Sequence, residues 1–74
     1  MYFLLEYHRP SGELRTLVEY SDGHEAMEHR FALERDNDRD VEVVVLCAES
    51  LDTIKQTHSR YFWRNPDVVP DYLR

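Results

Sequence analysis

The side chains best able to do chemistry in this 74-residue chain are four histidines, one cysteine and a short aromatic and basic run. That run is THSRYFWRNP, residues 57 to 66. A histidine can move protons near neutrality or ligate a metal, an arginine can hold an anion, and exposed aromatics can stack on bases. Which of these applies depends on where each side chain points. At about 100° per residue, Leu51, Ile54, His58, Tyr61 and Phe62 share one side of a helix, while Arg60 points almost opposite. Tyr61 and Phe62 are then expected to pack inward, which leaves no stacking platform, so nucleic acid is not the expected partner. His58 falls in the middle of the apolar face. It is either a packed histidine bonded to a carbonyl or tyrosine hydroxyl, or a functional group.

Arg30 is a similar oddity on the inward arc of the preceding helix, where its stem can pack and its head can pair with Glu34 one turn on. With the two helices side by side, Arg30, Glu34, His58 and Tyr61 would converge on a pocket able to take a small ligand.

Other chemistry finds less support. His24 and His29 are five residues apart, which sets them about 140° from each other on a helix, so they do not aim at one metal. The i,i+4 pairs His24 with Glu28 and Glu25 with His29 read as helix-surface ion pairs. Cys47 has no second cysteine to form a ligand pair or a disulfide, and nothing in its spacing activates it toward His58. The run Asp36-Asn37-Asp38-Arg39-Asp40 begins like a calcium loop, but Val41 stands where that loop needs glycine and Cys47 where it needs glutamate. Gly12 and Gly23 are isolated turn residues, so there is no phosphate-cradling loop. Neither metal nor cofactor is expected, and the balance lies against an enzyme.

The elements that position these residues follow from periodicity and turn chemistry. Tyr2 to His8 is apolar on both faces, as a central strand should be. Arg9-Pro10-Ser11-Gly12 is a hairpin loop, and Leu14, Thr16, Val18 and Tyr20 form one face of a second strand. Asp22 caps a helix expected to run to about Arg35, with Ala26, Met27, Arg30, Leu33 and Glu34 on one side. Val41 to Ala48 is the third strand. Ser50 caps a second helix expected from Leu51 to about Trp63, stopped by Asn65-Pro66. Residues 1–65 should form one domain, followed by an irregular tail over 66–74.

The order β-β-α-β-α implies an α+β, two-layer sandwich. Its three-stranded sheet should run in order 2-1-3, mainly antiparallel, with both helices on one face. The opposite face would then carry Tyr2, Leu4, Leu17, Val44 and Leu46, an apolar surface that needs a cover, supplied by a second copy of the chain, by the tail residues Val68, Val69, Tyr72 and Leu73, or by a different protein.

Residues 19 to 42 hold nine carboxylates and three arginines, which accounts for the whole net charge of −6. Such a surface repels phosphate backbones and suits a basic partner. The opening apolar run ends at Glu6, too short for a signal peptide or a membrane span, and a lone cysteine fits a reducing compartment. A small cytoplasmic protein-interaction module is therefore expected. It should pair as a homodimer, or with another protein, through the uncovered face or the third-strand edge. The alternatives are an acidic inhibitor or antitoxin-like protein on a basic site of a nucleic-acid-binding partner, and a ligand binder or enzyme at the Arg30, Glu34, His58 and Tyr61 pocket.

Overall fold

The computed structural model describes residues 1–70. Strand β1 (Tyr2–His8) and strand β2 (Glu13–Tyr20) form a hairpin, followed by helix α1 (Gly23–Asp36), strand β3 (Val41–Cys47), helix α2 (Leu51–Thr57) and a 3-10 turn (Ser59–Phe62). The hairpin loop closes at Gly12, whose φ of +74° is the left-handed conformation that glycine adopts without a Cβ clash. The N-terminus of α1 is capped by Asp22, whose carboxylate accepts from the His24 N–H at 2.9 Å. Ser50 does the same for α2, accepting from the Thr53 N–H at 3.2 Å.

The sheet has order β2-β1-β3, with β1 antiparallel to both neighbours. Leu5 sits between Leu17 and Val44, and Phe3 between Glu19 and Leu46. The α+β class, the strand order and the antiparallel pairing are those the sequence implies.

The helices, however, lie on opposite sides of the sheet rather than on one. Side chains alternate along a strand, so Tyr2, Leu4 and Glu6 share one face of β1 and Phe3, Leu5 and Tyr7 the other. Helix α1 covers the first face. A Cβ on Gly23 would stand 3.0 Å from the Tyr2 ring, Tyr20 bonds His29 at 2.7 Å, and Asn37 donates to Glu6 at 2.7 Å. The segment after β3 covers the second face, where Phe3, Leu5, Leu14, Leu17, Ile54, Tyr61 and Phe62 form one buried cluster. Val44, Leu46, Leu51 and Val68 pack against it. The arrangement is three layers, with α1, the sheet, then α2 with its 3-10 turn. A central strand that is apolar on both faces is equally compatible with this, and the doubly covered β1 shows why its sequence must be so.

Two irregularities set the details. The β1–β2 register shifts between Glu6 and Tyr7, so that Thr16 pairs with Glu6 but Leu14 pairs with Tyr7, leaving Arg15 as the extra residue of a β-bulge. The bulge brings Leu14 to the Leu17 side, into the same core, instead of onto a face with Thr16, Val18 and Tyr20. The second irregularity ends α2 at Thr57, well short of Trp63. Thr57 turns its hydroxyl onto the Thr53 carbonyl at 3.0 Å, a local bond that competes with helix continuation. His58 then leaves helical geometry at φ −127° and ψ 49°, and the chain resumes as the 3-10 turn.

Candidate functional site

The break at His58 resets the phase of the side chains that follow. Tyr61 and Phe62 both turn into the core, whereas His58, expected on the inward face, is exposed. Trp63 is left 76% exposed.

Tyr61 reaches through the core edge to Glu42 at the start of β3, donating its hydroxyl proton to Oε2 at 2.6 Å. Arg60, on the adjoining residue, donates from Nη2 to both Glu42 oxygens at 3.0 and 2.8 Å. Arg9 from the hairpin loop brings a second guanidinium to 3.5 Å from Glu42 and donates to the Arg39 carbonyl at 2.7 Å. The Arg60 guanidinium lies 4.2 Å from the Tyr61 ring centre, and the Tyr7 ring meets Tyr61 edge-on at 5.1 Å. His58 stacks near Tyr61 with 6.5 Å between ring centres. This cluster ties the hairpin loop, β3 and the 3-10 turn together at one end of the sheet.

Its electrostatics follow from that geometry. Burial by itself pushes the Glu42 carboxyl up, but the Tyr61 and Arg60 hydrogen bonds and the charges of Arg60 and Arg9 outweigh it, and the net shift is downward. Arg60 is raised, chiefly by its bond to Glu42. Burial and the Glu42 carboxylate beside it push the Tyr61 phenol up to about 12. Tyr61 therefore stays protonated as a donor and Glu42 stays ionised as an acceptor. Both are engaged by each other and by Arg60, whose Nη2 also donates to the Tyr61 hydroxyl at 2.7 Å, which suits a structural clasp and leaves neither free to act as an acid or base near neutrality.

A second polar cluster lies on the α1 side. Glu6 is only 9% exposed in the central strand, where it accepts from Thr16 at 2.6 Å and from Asn37 at 2.7 Å. Asn37 also donates to the Leu33 carbonyl at 2.8 Å, closing the end of α1. Glu6 thus fastens the helix exit to the sheet. Both carboxylates escaped the sequence reading because their partners are remote, 31 positions away for Glu6 with Asn37 and 19 for Glu42 with Tyr61. The available signal was a glutamate interrupting an otherwise apolar strand.

The expected ligand pocket is not assembled. Arg30 pairs with Glu34 at 2.6 Å along α1, whereas His58 and Tyr61 lie across the sheet from them. Glu34 instead helps line an open depression of about 400 Å³ with Asn37, Asp38, Arg39 and Val41. The expected uncovered face is not assembled either. Leu4 is 0% exposed beneath α1 with Tyr2 beside it, while Leu17, 1% exposed, lies with Val44 and Leu46 in the other layer. Helix α1 and the α2 layer are their covers. Val68 of the tail packs on the α2 side and Val69 is exposed; Tyr72 and Leu73, the other expected tail covers, lie outside the described residues. Cys47 is an exposed free thiol. Among the described residues, no group of three or more histidine, cysteine or acidic side chains is placed to hold a metal.

What the fold leaves open is the outer side of β3. Among the described residues, the strand pairs with β1 on one side and with no strand on the other. Ala48 donates to the Met1 carbonyl and Arg9 to the Asp40 carbonyl, so the even-numbered residues of β3 direct their backbone groups to β1. The odd-numbered residues Val41, Val43, Val45 and Cys47 direct theirs outward. The Val41 N–H is taken by Asp38 at 3.2 Å. β3 carries one charge, Glu42, already clasped by Arg60 and Arg9. The other edge strand, β2, carries Glu13, Arg15 and Glu19, the kind of charged edge that resists strand pairing.

No protein-family model, curated protein or solved structure matches the chain. No helix among the described residues is long and apolar enough to cross a membrane.

Proposed function

We propose that this protein is a small cytoplasmic protein-interaction module that self-associates through the outer edge of β3. One observation carries the reading: β3 is an edge strand with outward backbone groups, a valine-rich sequence and no unpaired charge, prolines or bulge to discourage a neighbour. The contrast with the charged β2 edge gives the preference its direction. A chain of this length also has a thin core, and pairing with a second copy is a common way to extend one.

Size-exclusion chromatography with light scattering tests it. The wild-type chain is expected to run as a dimer, and Val45→Pro as a folded monomer, because the Val45 N–H points away from β1 and its loss breaks no ladder bond inside the chain. A wild-type chain that stays monomeric at high concentration overturns the proposal.

A specific observation also supports the second reading, an acidic module for a basic partner. Glu19, Asp22 and Glu25 lie at the end of the sheet where β1 begins, as do Glu49 and Asp52 after β3, with Glu28 about one turn further along α1, and no lysine or arginine occurs in residues 16–29 or 40–54. Binding through that end would weaken steeply with salt, and reversing Glu25 and Glu28 to lysine would abolish it.

A further inference from the structure

Self-association at the β3 edge, where it occurs, has a geometry that the fold restricts. Helix α1 lies over β1 and β3 about equally, with less over β2. Stepping about 100° per residue from the buried Ala26, His29 falls about 60° to one side, and Arg30, Glu34, Met27 and Phe31 at about 40°, 80°, 100° and 140° to the other. His29 bonds Tyr20 on β2, so its side of the helix is the β2 side. Glu34 shares a depression with Val41, so the other side is the β3 side. Phe31, 53% exposed, and the half-buried Met27 therefore flank the open edge on the helix above it.

We propose that a second copy of the chain pairs β3 with β3 antiparallel about a two-fold axis at Val44, and that α1 packs on the second copy's α1 through Phe31 and Met27. This deepens the self-association reading and rests on it. A continuous sheet formed this way has its two-fold perpendicular to the sheet, so the two α1 helices fall on the same side. With strands about 4.8 Å apart, and α1 midway between β1 and β3, the two helix axes stand about 10 Å apart, the separation at which helices pack. Full overlap of β3 places Val43 opposite Val45, Val41 opposite Cys47 and Glu42 opposite Leu46. The strand's single charge thus never meets itself, and the outward backbone groups of Val43 and Val45 pair with one another. Val44 meets Val44 at a non-hydrogen-bonded position, where Cα atoms stand about 4.5 Å apart, within disulfide reach.

The test uses the full chain with Cys47→Ser, so that an added cysteine is the sole thiol. Under mild oxidation Val44→Cys is expected to cross-link into a dimer, and Val43→Cys and Val45→Cys to cross-link far less. Phe31→Glu, a substitution at an exposed helix position, is expected to raise the dimer dissociation constant roughly tenfold or more while the circular dichroism spectrum is unchanged. A wild-type dimer that neither cross-links through Val44→Cys nor weakens with Phe31→Glu overturns this geometry and leaves self-association standing. A dimer with only one of the two responses also overturns it, since strand register and helix contact are consequences of one axis. A wild-type monomer removes the self-association reading and this geometry together.

Discussion

Glu42 is the residue on which one end of the molecule closes, and its ionisation gives that closure a pH signature. Its carboxyl is held below the ordinary value of 4.5 in the folded chain, so the associated stability is present above that value and is lost as pH falls through the lower, folded-state one. Tyr61 has the opposite sign. Its neutral form is favoured, so its contribution is present below 10.0 and is lost as pH rises toward about 12. Tyr61→Phe should cost about 1–2 kcal/mol in denaturant unfolding at neutral pH, since it removes a hydrogen bond to a charged acceptor. In a spectrophotometric titration the same variant should lose the tyrosinate step near pH 12. Retention of that step would place it on another tyrosine. His58, by contrast, is exposed with its Nδ1 bonded to the neighbouring Thr57 hydroxyl, and the apolar position it was expected to fill belongs to Tyr61 and Phe62.

At the scale of elements, the strands and α1 were legible because their patterns are local. The doubly apolar run of β1, the Pro-Ser-Gly loop, the Asp22 cap and the valine run of β3 each point to one local structure. What was not legible depends on where the chain goes afterwards. The two layers of helix could not be separated from one, because a central strand must be apolar on both faces whichever element covers each. The end of α2 was missed because the helical period continues through Tyr61 and Phe62 while the Thr57 hydroxyl diverts the backbone. A subtler signal was present in Leu14 and Leu17, two core leucines an odd number of positions apart. They can share a strand face only if a residue between them is displaced. The Glu6 clasp makes the element-scale prediction. Asn37→Ala removes donors from a buried carboxylate and from the last turn of α1, and should destabilise the fold by about 1–3 kcal/mol by chemical denaturation. A loss within a few tenths of a kcal/mol would show that water replaces Asn37 at Glu6.

For the whole molecule, the two functional readings differ in their dependence on salt and concentration. Backbone pairing at β3 should be nearly indifferent to ionic strength and should raise the melting temperature as protein concentration rises. Recognition of a basic partner by the acidic end should fade over the first few hundred millimolar of salt. Thermal melts across a hundredfold concentration range, repeated at low and high salt, separate these. A melting temperature independent of concentration would count against the dimer. The fold places these surfaces apart, the open edge along the side of the sheet and the carboxylates at its end, so one chain has room to use both.

The displaced residue in the hairpin has a consequence of its own. Because Arg15 is supernumerary to the ladder, a chain lacking it would pair Thr16 with Glu6 and Leu14 with Tyr7 in unbroken alternation. Every leucine that now points inward would still do so. Elsewhere in a strand, a deletion of one position turns the remaining side chains inside out; at this point it would merely straighten the ribbon, so the hairpin can change length by one residue without exchanging its wet and dry sides.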